Sequence, residues 1–145
     1  METEIYQTLK DWIKHISTPM KDIGDMPVCP YAKETKYQVI SVKDNDINPP
    51  PWFFELIIYV FPNDITIRDL KLTAEKYNKI FPELIFLPDH KNHTTYINGI
   101  RTNNGKHNLL LCQYRRELEN ARNKLRKTNY YQYWTEEYLK EILQT

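Results

Sequence analysis

Apolar residues recur at helical spacing over residues 2–16. Ile5, Leu9, Trp12, Ile13 and Ile16 fall on one face, and Pro19 follows the last of them. Residues 17–35 lose that period and read as loop. Residues 36–42 are rich in β-formers and read as a strand. Residues 43–51 are polar and end in three prolines, a connection of polyproline character. The run 52–61 is almost continuously apolar, as expected of a central strand covered on both faces, and Pro62 stops it. Thr66-Ile67-Arg68-Asp69 then resembles a capping box with Asp in place of the usual Glu. Ile67, Leu70, Ala74, Tyr77 and Phe81 give the helix after it one apolar face, ended by Pro82. Leu84-Ile85-Phe86-Leu87 reads as a short strand stopped by Pro88. Strand, helix and strand in this order fit a βαβ unit with a right-handed crossover.

Residues 89–107 are polar and contain three of the four histidines. Residues 94–97 read as a short edge strand within them. Over 108–127, Leu111, Tyr114, Leu118, Ala121 and Leu125 share one helical face and predict a long helix. Thr135 is placed to cap a final helix in which Tyr138, Leu139, Ile142 and Leu143 are apolar. The order α-β-β-α-β-(β)-α-α predicts an α+β sandwich, one domain over residues 1–145. Helices are expected on one face of a three- or four-stranded mixed sheet, with a ferredoxin-like fold as the nearest common architecture.

Composition narrows the chemistry. Apolar residues are 41% of the 145, with eleven Tyr, five Phe and three Trp, enough for a core. Only three glycines are present, and neither a GxGxxG nor a GxxxxGK[ST] pattern occurs. A net charge of +1 gives no strong field toward nucleic acid or an anionic membrane. No apolar run reaches the length of a transmembrane helix, so no membrane partner is expected. The amphipathic N-terminal stretch lacks a signal-peptide apolar region, which predicts a cytoplasmic protein. Two cysteines, Cys29 and Cys112, with no CxxC, do not suggest a disulfide scaffold or a zinc site of usual spacing.

Cys29 stands between Pro27-Val28 and Pro30-Tyr31-Ala32. Proline restricts itself and the residue before it, so the thiol sits on a stiff, non-helical segment. A thiolate at Cys29 would need a nearby cation to lower its pKa. The alternative is a small packed apolar residue. A Cys-Pro pair also occurs in haem-regulatory segments. Asp89-His90-Lys91-Asn92-His93, with His107 and Cys112 downstream, supplies metal-ligand types but no closed set. Arg101, Asn104, Gly105, Lys106 and His107 precede the expected helix at Asn108. Backbone N–H groups at such a helix start attract anions, and the same residues also read as a turn with an Asn cap. Arg115, Arg116, Arg122, Lys124, Arg126 and Lys127, followed by Tyr130, Tyr131 and Tyr133, form a basic face interrupted by Glu117 and Glu119. Basic groups beside aromatics suit nucleic acid, and a charged, solvated helix face is the commoner origin of such a pattern.

Cys29-Pro30-Tyr31-Ala32 after an N-terminal Trp-containing helix resembles a bacterial family of unknown function with a Cys-Pro-Phe-Ala motif at that place, Tyr31 standing for its Phe. That family continues with an Asn/Arg-rich turn and a Leu-rich helix, which match 101–108 and Leu109-Leu110-Leu111 with Arg116-Glu117. The resemblance implies that the Cys-Pro loop and the turn converge. The leading expectation is therefore a site binding or transforming a small anionic ligand. Cys29 would be the nucleophile or redox thiol, and His107 the base or the cation beside it. Arg101, Asn104, Gly105, Lys106 and Tyr31 would hold the ligand. The rival expectations are an interaction module using the basic helix 113–127, for protein or nucleic acid, and a His/Cys metal or haem protein.

Overall fold

The computed structural model describes residues 2–23, 27–29, 35–44, 46–47, 55–128, 130–134, 136 and 139. The chain is an α+β domain. Its elements run α1 (Glu2–Ile16), β1 (Tyr37–Ser41), β2 (Leu56–Phe61), α2 (Ile67–Ile80), β3 (Leu84–Asp89), β4 (Tyr96–Ile97), β5 (Ile100–Arg101), β6 (Asn108–Tyr114) and α3 (Arg115–Arg126). The four-stranded mixed sheet has the order β1-β2-β6-β3. β1 is parallel to β2, and β6 is antiparallel to both β2 and β3. The β2–α2–β3 unit is therefore a βαβ unit split by β6.

Alternation along the strands assigns the helices to opposite faces. Ile57, Tyr59 and Phe61 of β2, with Leu110 and Cys112 of β6, pack beneath Leu70, Ala74 and Tyr77 of α2. Ile58 and Val60, with Leu109, pack beneath Leu9, Ile5, Trp12 and Ile13 of α1. The expectation of helices on one face is corrected: the sheet is covered on both, which is why β2 and the Leu109–Cys112 stretch of β6 are continuously apolar. α2 is capped as its sequence predicts, since Asp69 N–H donates to Thr66 Oγ1 at 3.0 Å. Its Asn78 pairs with Phe86 N–H (2.7 Å) and C=O (3.1 Å) on the open edge of β3, satisfying backbone groups that would otherwise invite another strand.

The helix expected over 108–127 is also corrected. Residues 108–114 are β6, and the helix occupies Arg115–Arg126 only. The run Leu-Leu-Leu-Cys satisfies a helical period by chance, because a strand buried on both faces is apolar at every position. Pro88 does not stop β3, which continues to Asp89 along the sheet edge, where a proline costs no ladder bond. Residues 52–54, the prolines 49–51, and Thr135, Tyr138, Ile142 and Leu143 of the expected last helix lie outside the described residues.

Candidate functional site

The polar segments 89–93 and 101–108 fold against each other. The cause is a hairpin, β4–β5, closed by Asn98 (φ 46°) and Gly99 (φ 84°). An Asn-Gly pair with both φ positive is the tight turn that suits two antiparallel strands. The hairpin returns Thr102 beside Thr95: Thr102 N–H donates to Thr95 C=O at 2.9 Å, and the two hydroxyls hydrogen-bond to each other. α1 holds this strand end from its C-terminal half. Trp12 Nε1–H donates to Thr102 C=O (2.9 Å) and His15 Nε2–H to Arg101 C=O (2.8 Å).

Asn103 follows and is 6% exposed. Its Oδ1 accepts from Thr95 N–H (3.2 Å) and Arg101 Nε–H (3.1 Å), which fixes the amide's orientation. Its Nδ2 is buried with no hydrogen-bond partner. Asp89 ends β3 opposite Leu109 and accepts from Asn104 N–H at 3.4 Å. Burial pushes the Asp89 carboxyl up to about 6, against the opposing pull of Asn104, His93 and Arg101.

Asn104 turns the chain. Its Oδ1 accepts from Lys106 N–H (2.9 Å) and His107 N–H (2.7 Å). Gly105 follows at φ 73°, with the Arg101 guanidinium lying where a Cβ would sit. Burial, with Lys106 and Lys91, holds His107 below its ordinary value, and its Nε2 is buried without a partner. Two neighbours are structural. Asn108, fully buried, donates to Pro62 C=O (3.0 Å) and accepts from Lys91 N–H (3.0 Å). His90 Nε2–H donates to Ile65 C=O (2.6 Å) while Nδ1 accepts from Asn92 N–H (3.1 Å), which leaves no ring nitrogen for a metal.

Beside these groups, at the open edge of β3, lies a cleft of about 340 Å³. Asp89, His93, Thr95, Thr102 and Asn103 form its polar wall. Trp12, Ala74, Leu87, Pro88 and Leu111 form its apolar wall, and Lys71, Glu75 and Asn78 of α2 complete it. No family model matches the chain, and neither a curated protein nor a solved structure does.

Cys29 is half-buried elsewhere. Its N–H donates to Ile16 C=O at 2.7 Å, and it packs against the cluster of Ile16, Ile23, Val28 and Ile97. The groove it lines, between α1 and α3, contains neither Arg101 nor His107 among the described residues. The loop and the turn thus both dock on the end of α1, but no described polar contact joins Cys29 to His107. The cation role expected of His107 is also disfavoured, since its environment favours the uncharged ring. The helix dipole expected behind the turn is absent, because Asn108 begins a strand. Pro30 and Tyr31 lie outside the described residues. Cys112 is fully buried in β6, where burial pushes its thiol up to about 12. No cluster of three His, Cys, Asp or Glu groups able to hold a metal occurs among the described residues.

Sequence reasoning weighed Asp89 only as a metal-ligand type and did not place Asn103 or Asp89 among the ligand-holding residues. The Asn98-Gly99 hairpin signal would have found the first, by bringing 95 beside 102. The second follows an apolar strand without a break, which is the pattern of a carboxyl carried into a covered edge.

Proposed function

We propose that the chain is a binding domain for a small planar ligand carrying an N–H donor next to a carbonyl acceptor, taken into the Asp89–Asn103 cleft. The observation that carries this is the unpartnered Asn103 Nδ2, buried and fixed in orientation, on a residue that lines the same cleft as Asp89. An orphaned buried donor costs about 1–3 kcal/mol, which a ligand carbonyl would recover. Asp89 offers the matching acceptor. Trp12, Leu87 and Pro88 supply apolar surface for a flat ring, as ligand sites commonly do. A small anion, the ligand first expected from the sequence, would meet the buried carboxylate directly and is less well served here. In this reading Cys29 is a packing residue. No helix among the described residues is long and apolar enough to cross a membrane.

Uracil and nicotinamide are suitable probes. Titrating either into ¹⁵N-labelled protein is expected to shift the Asn103 side-chain amide and the Trp12 indole resonances. Asp89→Ala is expected to weaken the response at least tenfold, the loss of a charge-assisted hydrogen bond. Unmoved Asn103 resonances at millimolar concentrations of both probes would refute the proposal, as would equal shifts from inorganic phosphate.

A further inference from the structure

The Asn103 amide has a carbonyl oxygen and an N–H donor to offer, and its orientation decides which is left for a ligand. Turning the amide over exchanges donor for acceptor with almost no change in shape. Two N–H groups settle the orientation. Thr95 N–H (3.2 Å) and Arg101 Nε–H (3.1 Å) both donate to Asn103 Oδ1, and Nδ2 is left over. The reverse orientation would set the Nδ2 hydrogens against both donors. The Thr95 donor belongs to the backbone, where Thr95 C=O is held in turn by Thr102 N–H. The Arg101 donor is carried on a long, exposed side chain, which has to be held in one rotamer to serve.

The turn after Asn103 provides that hold. Asn104 Oδ1 accepts from Lys106 and His107 N–H, and the folded turn sets Gly105 against the Arg101 guanidinium. A Cβ at position 105 would lie 2.1 Å from Arg101 Nη2 and 2.5 Å from its Cζ, so the guanidinium occupies room that only a glycine leaves. The Arg101 backbone is anchored as well. It pairs with Tyr96, and its C=O accepts from His15 Nε2–H at 2.8 Å. Resting on the cleft reading above, we propose that Arg101, seated by Gly105, is the positioning residue that sets the polarity of the ligand, keeping Asn103 a donor so that the cleft selects a carbonyl over an N–H at that point. With the Asp89 carboxylate as the acceptor, the cleft then reads a donor–acceptor edge. That is the edge of a carboxamide or a cyclic imide, and an amidine or guanidine presents two donors instead.

Benzamide and benzamidine test this, because they share a shape and differ in that edge. Their affinities are measured by NMR titration of the full chain at pH 7, for wild type and two variants that keep the positive charge. The charge is kept because, against the burial that raises the Asp89 carboxyl, the Arg101 charge favours its ionised form. Arg101→Lys removes the Nε–H donor at an exposed position, and Gly105→Ala displaces the guanidinium from its seat. In both, the ratio of benzamide to benzamidine affinity is expected to fall about tenfold from wild type, the weight of one charge-assisted hydrogen bond. A merely structural role would weaken both probes alike. An unchanged ratio in Arg101→Lys would therefore overturn the proposal while benzamide binding to wild type, with a shifted Asn103 amide, left the cleft reading standing. Wild type that binds no benzamide would overturn both.

Discussion

Asp89 is the residue on which the candidate site turns, and its cost is measurable. A carboxyl raised from 3.8 to about 6 holds its proton more tightly in the folded chain than in the unfolded one. Its ionisation therefore penalises the fold above about pH 6, and the penalty is relieved as pH falls toward 3.8. The size is on the order of 2 kcal/mol, set below the full shift because the residue keeps some contact with solvent. His107 works the other way. Its lowered value favours the uncharged ring, so acidification through that range costs stability. Comparing Asp89→Asn with wild type isolates the carboxyl. Urea unfolding is expected to show the variant more stable at pH 7 by about 1–2 kcal/mol, with the difference gone near pH 4. A variant less stable than wild type at pH 7 would mean that the carboxylate is paid for within the fold and needs no ligand.

Among the elements, β6 decides the most. It is the central strand between β2 and β3, it places Leu109 beside Asp89, and its first residue ties the 89–93 segment to the end of β2. Asn108→Ala removes both bonds of a fully buried amide and orphans Lys91 N–H and Pro62 C=O. The expected cost is about 2–3 kcal/mol by urea unfolding, with broadened Asp89 and Asn104 resonances. A cost of only about 1 kcal/mol, with those resonances unmoved, is what a surface helix cap would give. The same strand shows where sequence patterning reaches its limit. α1 and α2 were legible because each carries one apolar stripe with a stop signal, Pro19 or Pro82, and α2 a cap at Thr66. Leu109, Leu110, Leu111 and Cys112 were not, because a run apolar at every position fits both periods until its neighbours are known.

At the scale of the molecule, two segments noted from sequence for separate reasons, 89–93 and 101–108, form one polar wall. The thiol paired with the second of them lies in a different groove. Local residue types announced polar chemistry in both segments. Their meeting depends on the β4–β5 hairpin and on β3 and β6 lying side by side, and Cys29's place depends on contacts with Ile16 and Ile97 far along the chain. Arg122, placed by its sequence on a basic helix face, is buried, because it lies one turn beyond Leu118 and beside Ile85. The central claim is that Asp89 accepts a ligand N–H in the β3-edge cleft. Uracil affinity measured between pH 5 and 7 tests it most directly. A carboxyl titrating at about 6 is roughly 90% ionised at pH 7 and roughly 10% at pH 5, so the affinity is expected to fall about tenfold over that range, and to be low and flat in Asp89→Asn. Wild-type affinity that stays constant, or that rises toward pH 5, would contradict the claim.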